Sequence, residues 1–151
     1  AVRPATLFTY SGLASNDSSV FDFAAKAAMA GKDPKEEAKR QGFRPDLTKR
    51  GHVRSTFDGR YRFTRYFSPV DHNSPTTLDE LFKWNDVELY DLQSDPGETV
   101  NLATDRNGNA ALLTTMNGKL EVAIKAEIGK DDGRELPDIA GIDWGVDKID
   151  L

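Results

Sequence analysis

Four arginines crowd one short stretch, Arg54, Arg60, Arg62 and Arg65, and two histidines flank it at His52 and His72. Guanidinium groups pair in a planar, two-pronged way with oxyanions such as carboxylate, phosphate and sulfate, so such a stretch can attract an anionic substrate. The plainer reading is a solvated sheet face with acidic neighbours. His72 and Asn73 lie between Pro69 and Pro75, where they can either meet a substrate from a loop or make local turn bonds. His52 and His72 are too few, and too far apart in sequence, to suggest a metal site. The stretch Asp105-Arg106-Asn107-Gly108-Asn109 faintly follows a calcium loop. It fails because Ala110 stands where Gly is needed and Met116 where Glu is needed. There is no cysteine, which removes disulfides, thiolate ligands and cysteine nucleophiles. No glycine-rich phosphate loop and no Ser/His/Asp triad assembles. No catalytic residue and no metal ligand is therefore assigned.

The elements that must carry these residues emerge from local patterns. Ala5 to Tyr10 has strand-like composition and can pair with a sheet edge. Asn16 to Ser19 offers capping side chains to a helix over Val20–Ala30, closed by Gly31. That helix is expected to bury Val20, Phe21, Phe23, Ala24, Ala27 and Ala28. Pro34 opens a second helix through Arg40, closed by Gly42 and polar all round, as a solvated connector is. His52–Phe57 and Arg60–Phe67 flank Asp58-Gly59, a hairpin signal. A three-residue loop pairing Val53 with Phe63 and Ser55 with Tyr61 keeps the apolar side chains together and leaves Arg54, Arg60, Arg62 and Tyr66 on the other face. Tyr61, Phe63, Phe67 and Tyr90 read as core or core-edge aromatics rather than a ligand platform. Two prolines make 68–75 a loop, Thr76–Phe82 suits one helical turn, and Asp86–Leu92 alternates as a half-buried strand does. Asn109 opens the longest helix, closed by Gly129, with Leu112, Leu113, Met116, Leu120, Ile124 and Ile128 as its buried stripe. Asp131-Asp132-Gly133 reads as a turn. The fold class expected is α+β: a small antiparallel sheet, hairpin plus further strand, packed by a long C-terminal helix, with N-terminal helices and a loop-rich tail.

This divides the chain into a helical and connector segment at 1–50, an α+β subdomain at 51–130 and a tail at 131–151, in one structural unit. In the tail, Ile139, Ile142, Trp144 and Val146 can pack on a neighbour. The 25 acidic against 20 basic residues give a formal charge of -5, which is no general reason to bind nucleic acid or an anionic membrane. No apolar run reaches the length that crosses a bilayer. Ala1-Val2-Arg3-Pro4 carries no signal-peptide pattern, as expected if a leader was removed or if the chain is the interior of a longer one. Either a periplasmic or a cytoplasmic setting fits a cysteine-free chain.

One ordered set of motifs stands out: Glu88-Leu89-Tyr90-Asp91-Leu92, then Asp95-Pro96-Gly97-Glu98, then Asn101-Leu102-Ala103. It resembles the stretch near the end of sulfatases of the arylsulfatase type, in the alkaline phosphatase superfamily. The upstream hairpin, Val53 to Phe63, is similar to that family's Arg-x-x-x-Asp-Gly-x-Tyr strand pair. The resemblance spans roughly residues 50 to 128, and it implies the C-terminal subdomain of an enzyme that hydrolyses sulfate esters. Glu88, Tyr90, Asp91, Asp95, Pro96, Glu98 and Asn101 would form its structural signature, with Asp91 and Asp95 bonding turn N–H groups and Asn101 capping the residues after it. The family's nucleophile is a formylglycine made within a Cys/Ser-x-Pro-x-Arg motif, which this sequence lacks. Formylglycine and calcium are thus expected in a separate N-terminal catalytic domain, the implied partner. The resemblance further implies that C-terminal loops approach the active-site rim, which makes His72 and Asn73 substrate-rim candidates; Arg54 and Arg62 join them because guanidinium groups pair with sulfate oxygens. Two other readings remain: a stand-alone interaction module of the same fold without catalysis, and a related phosphatase or phosphonate hydrolase.

Overall fold

The computed structural model describes residues 4–12 and 17–133. The expected tail side chains Ile139, Ile142, Trp144 and Val146, and the capping residue Asn16, lie outside the described residues. Four strands form one antiparallel sheet in the order β1 (Thr6–Ser11), β2 (His52–Phe57), β3 (Tyr61–Phe67) and β4 (Asp86–Asp91). The sheet therefore draws its edge strand from the first fifty residues and its other strands from the segment beyond. A long helix, α4 (Ala110–Glu127), lies against β1, β2 and β3. The architecture is α+β, a small antiparallel sheet packed by a long helix.

The core is the seam between sheet and helix. Phe63, Val87 and Leu89 meet Leu113, Met116, Leu120 and Ile124, with Leu81 and Ala103 closing one end. Each such side chain, taken fully out of water, contributes about 1.5–3 kcal/mol. The stripe expected on α4 is met at Leu113, Met116, Leu120 and Ile124, but Leu112 is only half-buried and Ile128 is 43% exposed. Ile128 stands at the C-cap, outside the helical phase. The buried position between Met116 and Leu120 is taken instead by a polar residue, Asn117, whose Nδ2 donates to the carbonyl of Pro75 at 2.8 Å.

Two helices precede β2. In α1 (Ser18–Met29) the N-cap is Asp17, and in α2 (Pro34–Gln41) it is Asp33, with Gly42 closing α2 in the left-handed region. Of the side chains expected inside α1, only Ala27 is buried, and Phe21 is 61% exposed. The helix packs on α2 rather than across the sheet, so a narrow strip suffices, and Phe23 stacks on Phe43 at 4.2 Å. The second helix is not polar and solvated throughout. Glu37 is buried, accepting from Lys32 Nζ (2.9 Å), Arg40 Nε (2.8 Å) and Gln41 Nε2 (2.5 Å). A short helix, α3 (Leu78–Trp84), begins with a reciprocal cap: Thr77 Oγ1 accepts from the Glu80 N–H, and the Glu80 carboxylate accepts from the Thr77 N–H.

The hairpin register differs from the expected one. Val53 faces Tyr66 rather than Phe63, and Ser55 faces Thr64 rather than Tyr61. The slip is three residues, an odd number, so β2 turns the opposite set of side chains towards α4. The chain reverses at Gly59-Arg60, with Gly59 at φ 99°, a conformation that suits glycine. Asp58 sets this: its Oδ1 accepts from the N–H groups of Arg60 (3.0 Å) and Tyr61 (2.8 Å), and its Oδ2 is held by Lys119 of α4 at 2.5 Å.

Candidate functional site

The register decides where the arginines go. Arg54 and Arg65 are cross-strand partners on the face covered by α4, with His52 and Phe67 paired one step further along. Arg54 is 1% exposed and Arg65 0%, whereas the expected arrangement had Arg54 on the outer face with Arg62. Two buried cations side by side need compensating charge, and each has it. Arg54 donates from Nε to Asp131 Oδ2 and from Nη2 to Asp131 Oδ1, both at 2.7 Å, a two-pronged pair. Its Nη1 donates to the carbonyl of Val53 at 3.1 Å. Arg65 Nη2 stands 2.8 Å from Glu121 Oε1 of α4, a close charge contact rather than an aligned hydrogen bond.

The loop after β3 brings in His72. Its Nδ1 lies 3.5 Å from Asp131 Oδ1, its ring is 4.9 Å from that of His52, and both rings pack edge-on at 5.5 Å against Phe67. Histidines twenty residues apart in the chain are thus neighbours in the fold. Burial pushes the Asp131 carboxyl up, but His72 and Arg54 outweigh it and hold the group well below the usual carboxylate range. Burial likewise presses the Arg65 guanidinium below its ordinary value, with Glu121 and Asp131 opposing. The cluster joins β2, β3, the 68–75 loop and the turn after α4 in one buried polar knot.

Of the four rim residues, Arg54 and His72 come together, with their side chains turned inward onto Asp131. Asn73 sits beside them in sequence, but both ends of its amide are engaged: Nδ2 donates to the carbonyl of Asp71 at 2.7 Å, and Oδ1 accepts from Asn85 Nδ2 at 2.9 Å. Ser68 Oγ donates to Asp71 Oδ2 at 2.5 Å, which stiffens the same loop. Arg62 points from the opposite sheet face, half-exposed, and pairs with Glu98. The loop that could present His72 and Asn73 is therefore built in advance, clamped by Asn85 and Asn117.

The signature residues have legible work. The outer edge of β4 has no fifth strand among the described residues, and Asn101 stands in for one. Its Oδ1 accepts from the N–H of Leu89 (3.0 Å) and of Ala103 (3.0 Å), while Nδ2 donates to the carbonyl of Val87 (3.1 Å). Asp91 accepts a two-pronged bond from Arg60, at 3.0 and 2.7 Å, and bonds the Gln93 N–H at 3.1 Å. Arg60 holds its carboxyl well below the usual range, against burial. Asp95 accepts from the Val100 N–H at 2.9 Å and from Thr99 Oγ1 at 3.0 Å. Glu98 takes a positive φ of 55° in this turn beside Pro96. Glu88 and Tyr90 lie on the face away from α4, where Tyr66 donates its hydroxyl to Glu88 at 2.8 Å.

Asp131, Glu121, Asn85 and Asn117 escape sequence reasoning. The only signal for them is polarity at positions next to apolar ones, which a solvated surface explains equally well. Among the described residues no group of three His, Cys, Asp or Glu side chains is placed to hold a metal ion, and no helix is long and apolar enough to cross a membrane. No protein-family model matches the chain, and no curated protein matches it.

Proposed function

We infer that this chain is the C-terminal subdomain of a sulfatase-type hydrolase, and that its partner is the catalytic domain of that enzyme. The observation that carries this reading is the division of the sheet into two unlike faces. One face is sealed by α4. The other carries Phe8, Tyr10, Val53, Phe57 and Tyr66 in alternation with the sealed side, and Phe8 and Tyr10 are 59% and 51% exposed. Aromatic side chains on that scale suit a surface made to be covered. The signature residues support the reading by their roles, since Asn101, Asp91 and Asp95 each serve the edge strand and turn that such a subdomain must keep intact.

In this reading a formylglycine and a calcium ion in the partner domain supply the sulfate-ester chemistry. This chain's part is positional. The Arg54–Asp131–His72 knot and the Asn85 and Asn117 clamps hold the 68–75 loop as a rigid wall, whose His72 and Asn73 are the candidates nearest a substrate entrance; Arg54 supports that loop from beneath, and Arg62 lies on the opposite sheet face. Native mass spectrometry of purified material, followed by a p-nitrophenyl sulfate assay with calcium, tests it. A larger bound partner together with sulfate release is the expected result. A stable lone monomer with no sulfate release and no partner points to an interaction module instead, and sulfate release by the lone chain overturns the reading.

A further inference from the structure

The chain contains two Asn-Gly pairs, Asn107-Gly108 and Asn117-Gly118, and the fold treats them in opposite ways. Asn117 is buried in the middle of α4, its Nδ2 bonded to the Pro75 carbonyl at 2.8 Å. Helical backbone there keeps the Gly118 nitrogen within the helix and away from the Asn117 side-chain carbon. Asn107 lies in the turn before α4, exposed, and its side-chain amide makes no hydrogen bond among the described residues. The next amide is held by a carboxylate: the Gly108 N–H donates to Asp105 Oδ1 at 2.9 Å. A side chain at position 108 would push the Asp105 carboxylate aside, so glycine there keeps the Gly108 N–H and Asp105 in contact.

We propose that Asn107 is a site of spontaneous deamidation, with water as co-reactant and Asp105 as the base. The Gly108 amide gives its proton to the Asp105 carboxylate while its nitrogen attacks the Asn107 side-chain carbonyl carbon. The new C–N bond closes a five-membered imide as the carbon–nitrogen bond of the side-chain amide breaks. Ammonia departs, carrying the proton returned from Asp105. Water then opens the imide at either carbonyl, leaving aspartate or isoaspartate. Either product adds a negative charge at the start of α4. The isoaspartate also lengthens the main chain by one atom, where Asn109 N–H now bonds the Asp105 carbonyl at 3.1 Å.

The test is peptide mapping by mass spectrometry of the whole chain, incubated at physiological temperature in water enriched in oxygen-18. Conversion at Asn107, with one labelled oxygen incorporated, should outpace that at Asn117 by at least about tenfold, because the buried helical pair must first open locally. In Asp105→Asn the side-chain oxygen can still accept the Gly108 N–H, but the base is gone, so conversion should slow several-fold. Circular dichroism and continued protection of Asn117 verify that this variant is folded. Equal conversion at the two sites overturns the proposal. So does an Asp105→Asn rate that is unchanged or faster.

Discussion

Arg54→Met isolates the buried knot. Arg54 and Asp131 have side chains only 2% exposed each, and the two-pronged pair at 2.7 Å is the main compensation either charge has. Removing the cation leaves a buried carboxylate without its two-pronged partner, with only His72 and the more distant charge of Arg65 to oppose burial, a change that costs about 3–5 kcal/mol. With a urea slope of about 2 kcal/mol/M, the unfolding midpoint at neutral pH falls by about 2 M. The pH dependence adds a second handle. The folded value of the Asp131 carboxyl is depressed, so its stabilisation is fully present above the ordinary carboxylate value of about 3.9 and disappears only as pH falls below it. In Arg54→Met burial dominates, the carboxyl moves up, and the group can take a proton in mild acid. The deficit of the variant relative to wild type should therefore shrink as pH drops from neutral. The double variant Arg54→Met, Asp131→Leu should recover most of the loss, since no charge is left stranded. Urea titrations followed by circular dichroism at several pH values measure all three. A loss below about 1 kcal/mol, the range of exposed pairs, or a deficit independent of pH, refutes the argument.

Two local devices give smaller effects. Asn101→Ala strips two hydrogen bonds from the edge of β4 and a third from the Ala103 N–H, and should cost roughly 2–3 kcal/mol at about 1 kcal/mol per bond; hydrogen exchange at the Leu89 amide should rise more than at Thr64 on the inner strand, and equal rises would count against the edge clasp. Thr77→Ala breaks the reciprocal cap of α3 and should cost about 1 kcal/mol, read as a lower melting temperature, with no change indicating that Leu81 packing alone holds the helix.

Much of the chain's local order is written in short-range chemistry. Asp33-Pro34 and Gly42 bracket α2, Thr77 and Glu80 start α3, and Asp86 to Asp91 alternates as a strand must, because caps and pleats act over a few residues. The roles of Asp91, Asp95 and Asn101 towards neighbouring N–H groups were likewise legible, since those bonds are local. The register of the hairpin was not. An apolar-pattern argument keeps arginines outside, but Lys119 anchors Asp58 from another element, and the three-residue slip carries Arg54 and His52 inward beside Arg65, which shares the face of Phe63 in either register. That placement is tolerable only because Asp131 and Glu121 arrive from positions far along the chain. Compensation between distant charges depends on tertiary geometry, and no periodicity along one strand encodes it. For the same reason His72 and His52, unremarkable in sequence, become ring neighbours only when the 68–75 loop folds back over Phe67.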